Sequence, residues 1–452
     1  MRITVENFGP IRKAKNIRIA PLTLFVGPSN TGKSYLAKAV SAAVESMSGV
    51  PSSGFMGEFS DFVFLTQKDR PETEKHSEME KRFSEWAESM RGEWEKCFSD
   101  FFGEQGENIA KDMGMSVGIS SDDGRTFVDL NKPQNEQIEK EELPGVVKMA
   151  ELIIKSPNPQ AKEKDVQIFT KGKIHESFVS SLCNQFSLKA YYLPTARGAV
   201  MQTYQVIDRE ALGSSVMVQS KKDKQTIPAV ISGFVRQLDH IVKAGKGHGD
   251  KNIIDINDNF LESNIFNGRI NVTSHKSGHP GFRYAQKGEE GDIAMNDVSA
   301  AIAELTPLSV FMRYCLRKGD LLVLEEPETG LHPQAQRDIA DIMVRLANAG
   351  VFVLATTHSD IVLEQIGNAV RASQFNNVAR GKKLLGENRQ SLALENAAVY
   401  DFEKQPKHGD TIVNNVWFEP VTGVLTKDHM KVARELYDQT VDLVNGKSNE
   451  HE

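Results

Sequence analysis

The sequence predicts an α/β fold built around a mainly parallel core sheet. Three short apolar runs carry that prediction, because each is followed at once by residues able to do chemistry. The run Leu22-Thr23-Leu24-Phe25-Val26 leads into Gly27-Pro28-Ser29-Asn30-Thr31-Gly32-Lys33-Ser34. The run Leu321-Leu322-Val323-Leu324, opened by Asp320, ends in Glu325-Glu326-Pro327-Glu328. The run Val351-Phe352-Val353-Leu354-Ala355-Thr356-Thr357 ends in His358-Ser359-Asp360. Continuous apolar runs of this length read as strands buried on both faces. An open α/β sheet gathers its ligand groups outside the carboxyl ends of such strands.

Residues 27–34 have the G-x-x-x-x-G-K-[ST] spacing of a phosphate-binding loop, with a strand before it and a helical stretch from Ser34 to about Met47 after it. Glycines let backbone N–H groups close around phosphates, and the helix N-terminus adds partial positive charge. Asn30, Gly32, Lys33 and Ser34 are the expected nucleotide contacts. Lys33 reaches the β- and γ-phosphates in such loops, and the Ser34 hydroxyl sits on Mg²⁺. At the second strand end, Glu325 is the expected metal carboxylate and Glu326 the group that orients or deprotonates water.

Composition bounds the rest. A chain of 452 residues is long for one core. No apolar run approaches the ~20 residues of a membrane span. Arg2, Glu6 and Arg12 interrupt any leader-like apolar stretch. Cys97, Cys183 and Cys315 lack metal-ligand spacing and read as free thiols of a reduced cytoplasm. The net charge is −7, and Asp69 to Asp112 alone hold thirteen acidic and seven basic side chains. That segment is unsuited to DNA, whose binding rests on phosphate neutralisation. Met79, Phe83, Trp86, Met90, Trp94, Phe98 and Phe101 step through it at helical spacing. The stripe either packs on its own core or docks a partner.

Residues 113–145 are rich in turn formers, with a short edge strand expected at Phe127–Leu130. Helical signals run over 143–155 and 174–185, and sustained heptads are absent, so 49–187 reads as a mainly helical insertion. Helix is expected at Val230–Ala244, a flexible loop at 245–251, and a hairpin of Arg269–Thr273 with Gly281–Ala285. Ile361–Ile366 reads as helix and 373–395 as polar loop. Strands follow near Ala397–Phe402 and Val413–Phe418, then a helix over 427–444 and a disordered tail, 445–452.

These motifs, in this order, resemble the ABC-type ATPases of the SMC, RecF and OLD group, and most of all the stand-alone bacterial ATPases of phage-defence operons. The resemblance covers residues 1–48 and roughly 186–430, and includes the opening Glu6-Asn7-Phe8-Gly9-Pro10-Ile11. It implies an ABC-type ATPase head in two parts, 1–48 and 188–444, around the insertion, with a β-rich patch before the signature. It implies ATP and Mg²⁺ as ligands. His358 would contact the γ-phosphate and Gly330-Leu331-His332-Pro333 would form the D-loop. Asn296–Ala301 stands at the signature position without an LSGGQ string. Ser299 there either caps its helix or reaches the γ-phosphate of a second copy. Glu325 stands where many relatives carry Asp. The segment Leu193-Pro194-Thr195-Ala196-Arg197 matches a Leu-Pro-x-x-Arg of relatives. Arg197 would contact phosphate or the dimer partner, or else pair with a surface carboxylate, and Gln202 is a candidate Mg²⁺ contact.

Two functions follow from the resemblance. One is an ATPase that dimerises or oligomerises around ATP and regulates a separate effector such as a nuclease in anti-phage defence. The alternative is a RecF- or SMC-like ATPase acting on DNA in repair or chromosome maintenance. A transport subunit would carry its signature much nearer the phosphate loop. The stretch after His358 is too short for a fused Toprim nuclease.

Overall fold

The computed structural model describes residues 2–49, 114–121, 124–129, 189–203, 229–243, 249–274, 280–375, 378–386, 388–405, 409–416, 418–419, 423–424, 435 and 437–443. The aromatic stripe at 79–101, the helices expected over 143–155 and 174–185, the loop 245–248 and the tail 445–452 lie outside them.

The three apolar runs are strands β3 (Leu22–Val26), β10 (Leu321–Glu325) and β11 (Phe352–Thr357). They belong to one ten-stranded sheet of order β5-β4-β1-β2-β13-β12-β3-β11-β10-β6. Its other members are β1 (Arg2–Phe8), β2 (Ile11–Arg18), β4 (Gly114–Ser121), β5 (Gly124–Asp129), β6 (Ala190–Leu193), β12 (Ala397–Lys404) and β13 (Thr411–Val416). The stretch β12-β3-β11-β10-β6 is parallel throughout, so the three motif-bearing strand ends open on the same edge. An antiparallel wing of β1, β2, β4 and β5 extends the other side.

Both faces of the parallel strands are covered, which is why their sequences do not alternate polar with apolar. Leu22, Leu24, Leu322, Leu324, Val353 and Ala355 pack into one core with helices α4 (Ala300–Tyr314), α5 (Pro333–Asn348) and α6 (Asp360–Ser373). Phe25, Val323 and Leu354 pack into a second core with α1 (Lys33–Gly49). Helix α2 (Ala229–Lys243) joins the first core through Phe234 and Leu238.

Three elements depart from expectation. Residues 114–121 and 124–129, within the insertion read as mainly helical, pair as the hairpin β4–β5 and extend the sheet from β1; the strand expected at Phe127–Leu130 falls in β5, while none is expected at β4. Their glycines suggest turns, and pairing with an open sheet edge overrides that local preference. Within the polar stretch 373–395, Val378–Leu385 forms helix α7, with Gly381 packed tightly on the Ala372 carbonyl. Residues 251–266 form helix α3 (Lys251–Ile256) and then a π-helix, Asn257–Phe266. Buried Glu262 and the partly exposed Asp258 hold that turn by accepting from Arg313, each at 2.6 Å. The expected hairpin is present as β7 (Gly268–Ser274) and β8 (Pro280–Gln286), with β9 (Asp292–Ala294) completing a small separate sheet. No described helix is long and apolar enough to cross a membrane.

Candidate functional site

The phosphate-binding loop leaves β3 at Val26 and enters α1 at Lys33. Gly32 has φ 94°, and a Cβ there would lie 2.8 Å from both the Ile11 and Pro10 side chains. The corner between β1 and β2 therefore roofs the loop, and only glycine fits under it. Asn30 also turns left-handed, φ 61°, at the exposed tip. The Lys33 ammonium folds back and donates to the carbonyls of Gly27 (2.8 Å) and Pro28 (2.6 Å). Burial pulls its pKa down to about 8, against the opposing pull of Glu326, Glu328 and Asp401. Ser34 follows on the first turn, half-buried.

If the loop holds a nucleotide, this amine should make the binding pH-dependent, with a definite sign. Phosphate binds the charged form, so ATP raises the lowered pKa and binding takes up protons above about pH 8. Affinity should therefore fall as pH rises through that value, by up to about tenfold per unit. Calorimetric titrations in buffers of different ionisation enthalpy measure the uptake directly. In Lys33→Met both the uptake and the slope should vanish.

Across the site, Glu325 is 3% exposed and its Oε2 accepts from the Thr195 N–H at 3.2 Å. Oε1 is buried and accepts no hydrogen bond. Burial and the adjacent Glu325 carboxylate push the Tyr192 phenol well above its usual pKa, so it stays protonated. Among the described residues no group of three or more His, Cys, Asp or Glu side chains is arranged to hold a metal alone. Mg²⁺ bound with a nucleotide keeps phosphate and water ligands and takes few from protein. The open lone pairs of Glu325 Oε1 and the Ser34 hydroxyl fit this ion.

Glu326 adopts φ 43°, a conformation that costs a non-glycine residue energy and that concentrates at functional sites. Its N–H donates to the Thr356 carbonyl at 2.9 Å, which holds the turn. Its Oε1 lies 3.4 Å from His358 Nε2, and Oε2 accepts from the Thr329 hydroxyl at 3.5 Å. The His358 hydrogen bond, the largest influence, together with the Lys33 charge keeps this carboxyl below its usual pKa, hence ionised. Glu328 ties the two strand ends together: its Oε1 accepts from the Thr357 hydroxyl (2.8 Å) and the His358 N–H (2.7 Å). From α5, Gln336 donates to the Leu331 carbonyl and accepts from the Ser359 hydroxyl, linking segment 330–333 to the His358 turn.

Residues 222–364 match the family described as "AAA domain, putative AbiEii toxin, Type IV TA system". Among curated proteins nothing matches. Solved structures similar to this chain include three SMC heads. One is the SmcHead bound to the C-winged helix domain of ScpA, at 9% identity, covering 92% of this chain and 97% of that one, TM-score 0.37. Another is the SMC head domain from Thermotoga maritima, at 10% identity, 92% and 99% coverage, TM-score 0.33. A third is the Smc head with an extended coiled coil bound to the C-terminal domain of ScpA, from Pyrococcus furiosus, at 10% identity, 96% and 98% coverage, TM-score 0.32. The match to an AAA domain, beside the strand-end geometry, supports an ATPase at that general level.

The remaining expected contacts divide. Ser299 is exposed and caps α4, its Oγ accepting from the Ile302 N–H at 3.4 Å. Gln202 is exposed on a short helix, 197–203. Arg197 is expected to face phosphate, a partner or a surface carboxylate; it stands 3.6 Å from the Oε2 of Glu304, a carboxylate that is buried. It is 1% exposed and lies beneath the carboxylates, donating to the backbone carbonyls of Glu304, Pro194, Glu325 and Glu326. Four of its five N–H donors are engaged by main-chain carbonyls inside the fold. Glu328 and Glu304 carry no role in the sequence reading. Glu304 did leave a signal: a lone carboxylate in the apolar run Ala300–Leu308 demands a buried partner.

Proposed function

We propose that this chain binds and hydrolyses ATP as an ABC-type switch, that two copies close around the nucleotide, and that the closed form controls a separate effector protein in defence against phage. One observation carries the reading: Glu326, held ionised in a strained turn, meets His358 at 3.4 Å on the edge where Lys33 closes the phosphate-binding loop.

In this reading Lys33 exchanges its two loop carbonyls for phosphate oxygens. Glu326 orients the attacking water and accepts its proton, and His358 holds that carboxylate in place while its ring faces the γ-phosphate. Bound Mg²⁺ neutralises charge on the transferring phosphoryl group. Ser299, exposed at the start of α4, is available to a second copy, and a two-fold pair would present each chain's Ser299 to the other's loop. The description of the matching family as a putative toxin of a type IV TA system supports a role in defence.

The test is complementation. Lys33→Ala and Ser299→Arg chains should each be inactive alone. Mixed in equal amounts, they should regain one intact site per mixed pair, and with random pairing turnover should approach about a quarter of wild type. A mixture as inactive as its parts, with both chains folded, sinks the shared site.

A further inference from the structure

Arg197 hydrogen-bonds the main chain of both Glu325 and Glu326 and that of Glu304 on α4, the helix that Ser299 caps. We propose that Arg197, with Glu304, is a positioning pair that sets the start of α4, and so the surface offered to a second copy, according to the backbone of Glu325 and Glu326. The proposal rests on the shared-site reading above and names the residues that connect its two halves.

The geometry is specific. Arg197 Nη1 donates to the Glu325 carbonyl at 2.6 Å and Nη2 to the Glu326 carbonyl at 3.3 Å. On the other edge of the same planar group, Nε donates to the Glu304 carbonyl at 2.9 Å and lies 3.6 Å from Glu304 Oε2. Glu304 follows the Ser299 cap by little more than one helical turn. Its side chain also packs 3.6 Å from the Cβ position of Gly330, as does Ala300 at 3.7 Å, so segment 330–333 meets the same point. A Cβ on Gly198 would come within 2.7 Å of Glu304 Oε1, which explains a glycine directly after the arginine.

A guanidinium is rigid and planar, so its two edges cannot move independently. A shift of the Glu325–Glu326 turn on nucleotide binding is therefore carried to Glu304 through one inflexible group. Glu304, Glu325, Glu326 and Glu328 all act on the Arg197 charge. Glu304 Oε2, Glu325 Oε1 and Glu328 Oε2 are buried without hydrogen bonds of their own. The cation thus serves as shared counter-charge for carboxylates on both sides, and relocating one alters the pull on the others.

The complementing mixture separates the two halves. In it, the Lys33→Ala chain contributes only its Ser299 face to the active site, and the Ser299→Arg chain contributes the loop and the carboxylates. Arg197→Lys is added to the Lys33→Ala chain alone. Lysine keeps the charge and loses the planar fork. Turnover of the mixture should fall about tenfold or more, as a small misplacement of positioning groups does, with ATP affinity of the other chain unchanged. Glu304→Gln in that same chain should lower it likewise, and it decides the matter if the Arg197→Lys chain fails to fold by thermal melting. Turnover equal to the parent mixture for the folded variants overturns the inference. An inactive parent mixture is a different failure, that of the shared site.

Discussion

Glu326→Gln should bind ATP with near-normal affinity and lose turnover by about 10²- to 10⁴-fold, the range a positioned general base supplies. The amide is the same shape, so the left-handed turn at φ 43° and the Thr356 contacts survive. What disappears is the negative charge that Lys33 and His358 stabilise. The bound nucleotide then persists, and ATP should trap the closed pair in size-exclusion or light-scattering measurements. Single-turnover hydrolysis alongside filter binding separates the two effects. A kcat within about twofold of wild type takes Glu326 out of the chemical step.

Arg197→Ala should be the most damaging single change to stability, costing about 3–5 kcal/mol, as removing one partner of a buried charge pair does. The loss strands Glu304, whose carboxyl burial already pushes toward neutrality against the pull of Arg197 and the Gly198 N–H. It also removes the Arg197 donors from the carbonyls of Pro194 and Glu325. Denaturant titration measures the cost. Adding Glu304→Leu to Arg197→Met should recover part of it, because the unpaired carboxylate is gone. A strictly additive double variant would mean that the two residues do not interact.

Strands β3, β10 and β11 and their polar ends were legible because double-sided burial writes an uninterrupted apolar run and a ligand-facing tip interrupts it abruptly. Lys33, Ser34, Glu325, Glu326 and His358 all sit at such tips. Arg197 was not legible. Its acceptors are main-chain carbonyls, which no residue type announces, and they lie as far as 129 residues along the chain. The π-helix at Asn257–Phe266 escaped for another reason. It does not repeat every 3.6 residues, so its buried Asn257, Leu261, Glu262 and Phe266 make no helical stripe. Helix α7 was hidden by Gly381, which weakens a helix on paper but here lets α7 approach α6 closely.

The sheet order also governs how the molecule can be made. Leu22, on the strand that feeds the phosphate-binding loop, pairs on one side with Val353 and on the other with Ala397. A ribosome adding about 5–20 residues per second needs roughly 20–75 s after finishing β3 to deliver both neighbours. Until β11 arrives both edges of this mostly apolar strand stand open, and one edge until β12, an invitation to misassociation during synthesis. Such long-range closure makes folding slow relative to local collapse. Nascent chains should therefore depend on chaperone cover until the codons for β12 have been read, and synonymous changes that slow translation between β3 and β11 should lower soluble yield without altering the finished protein.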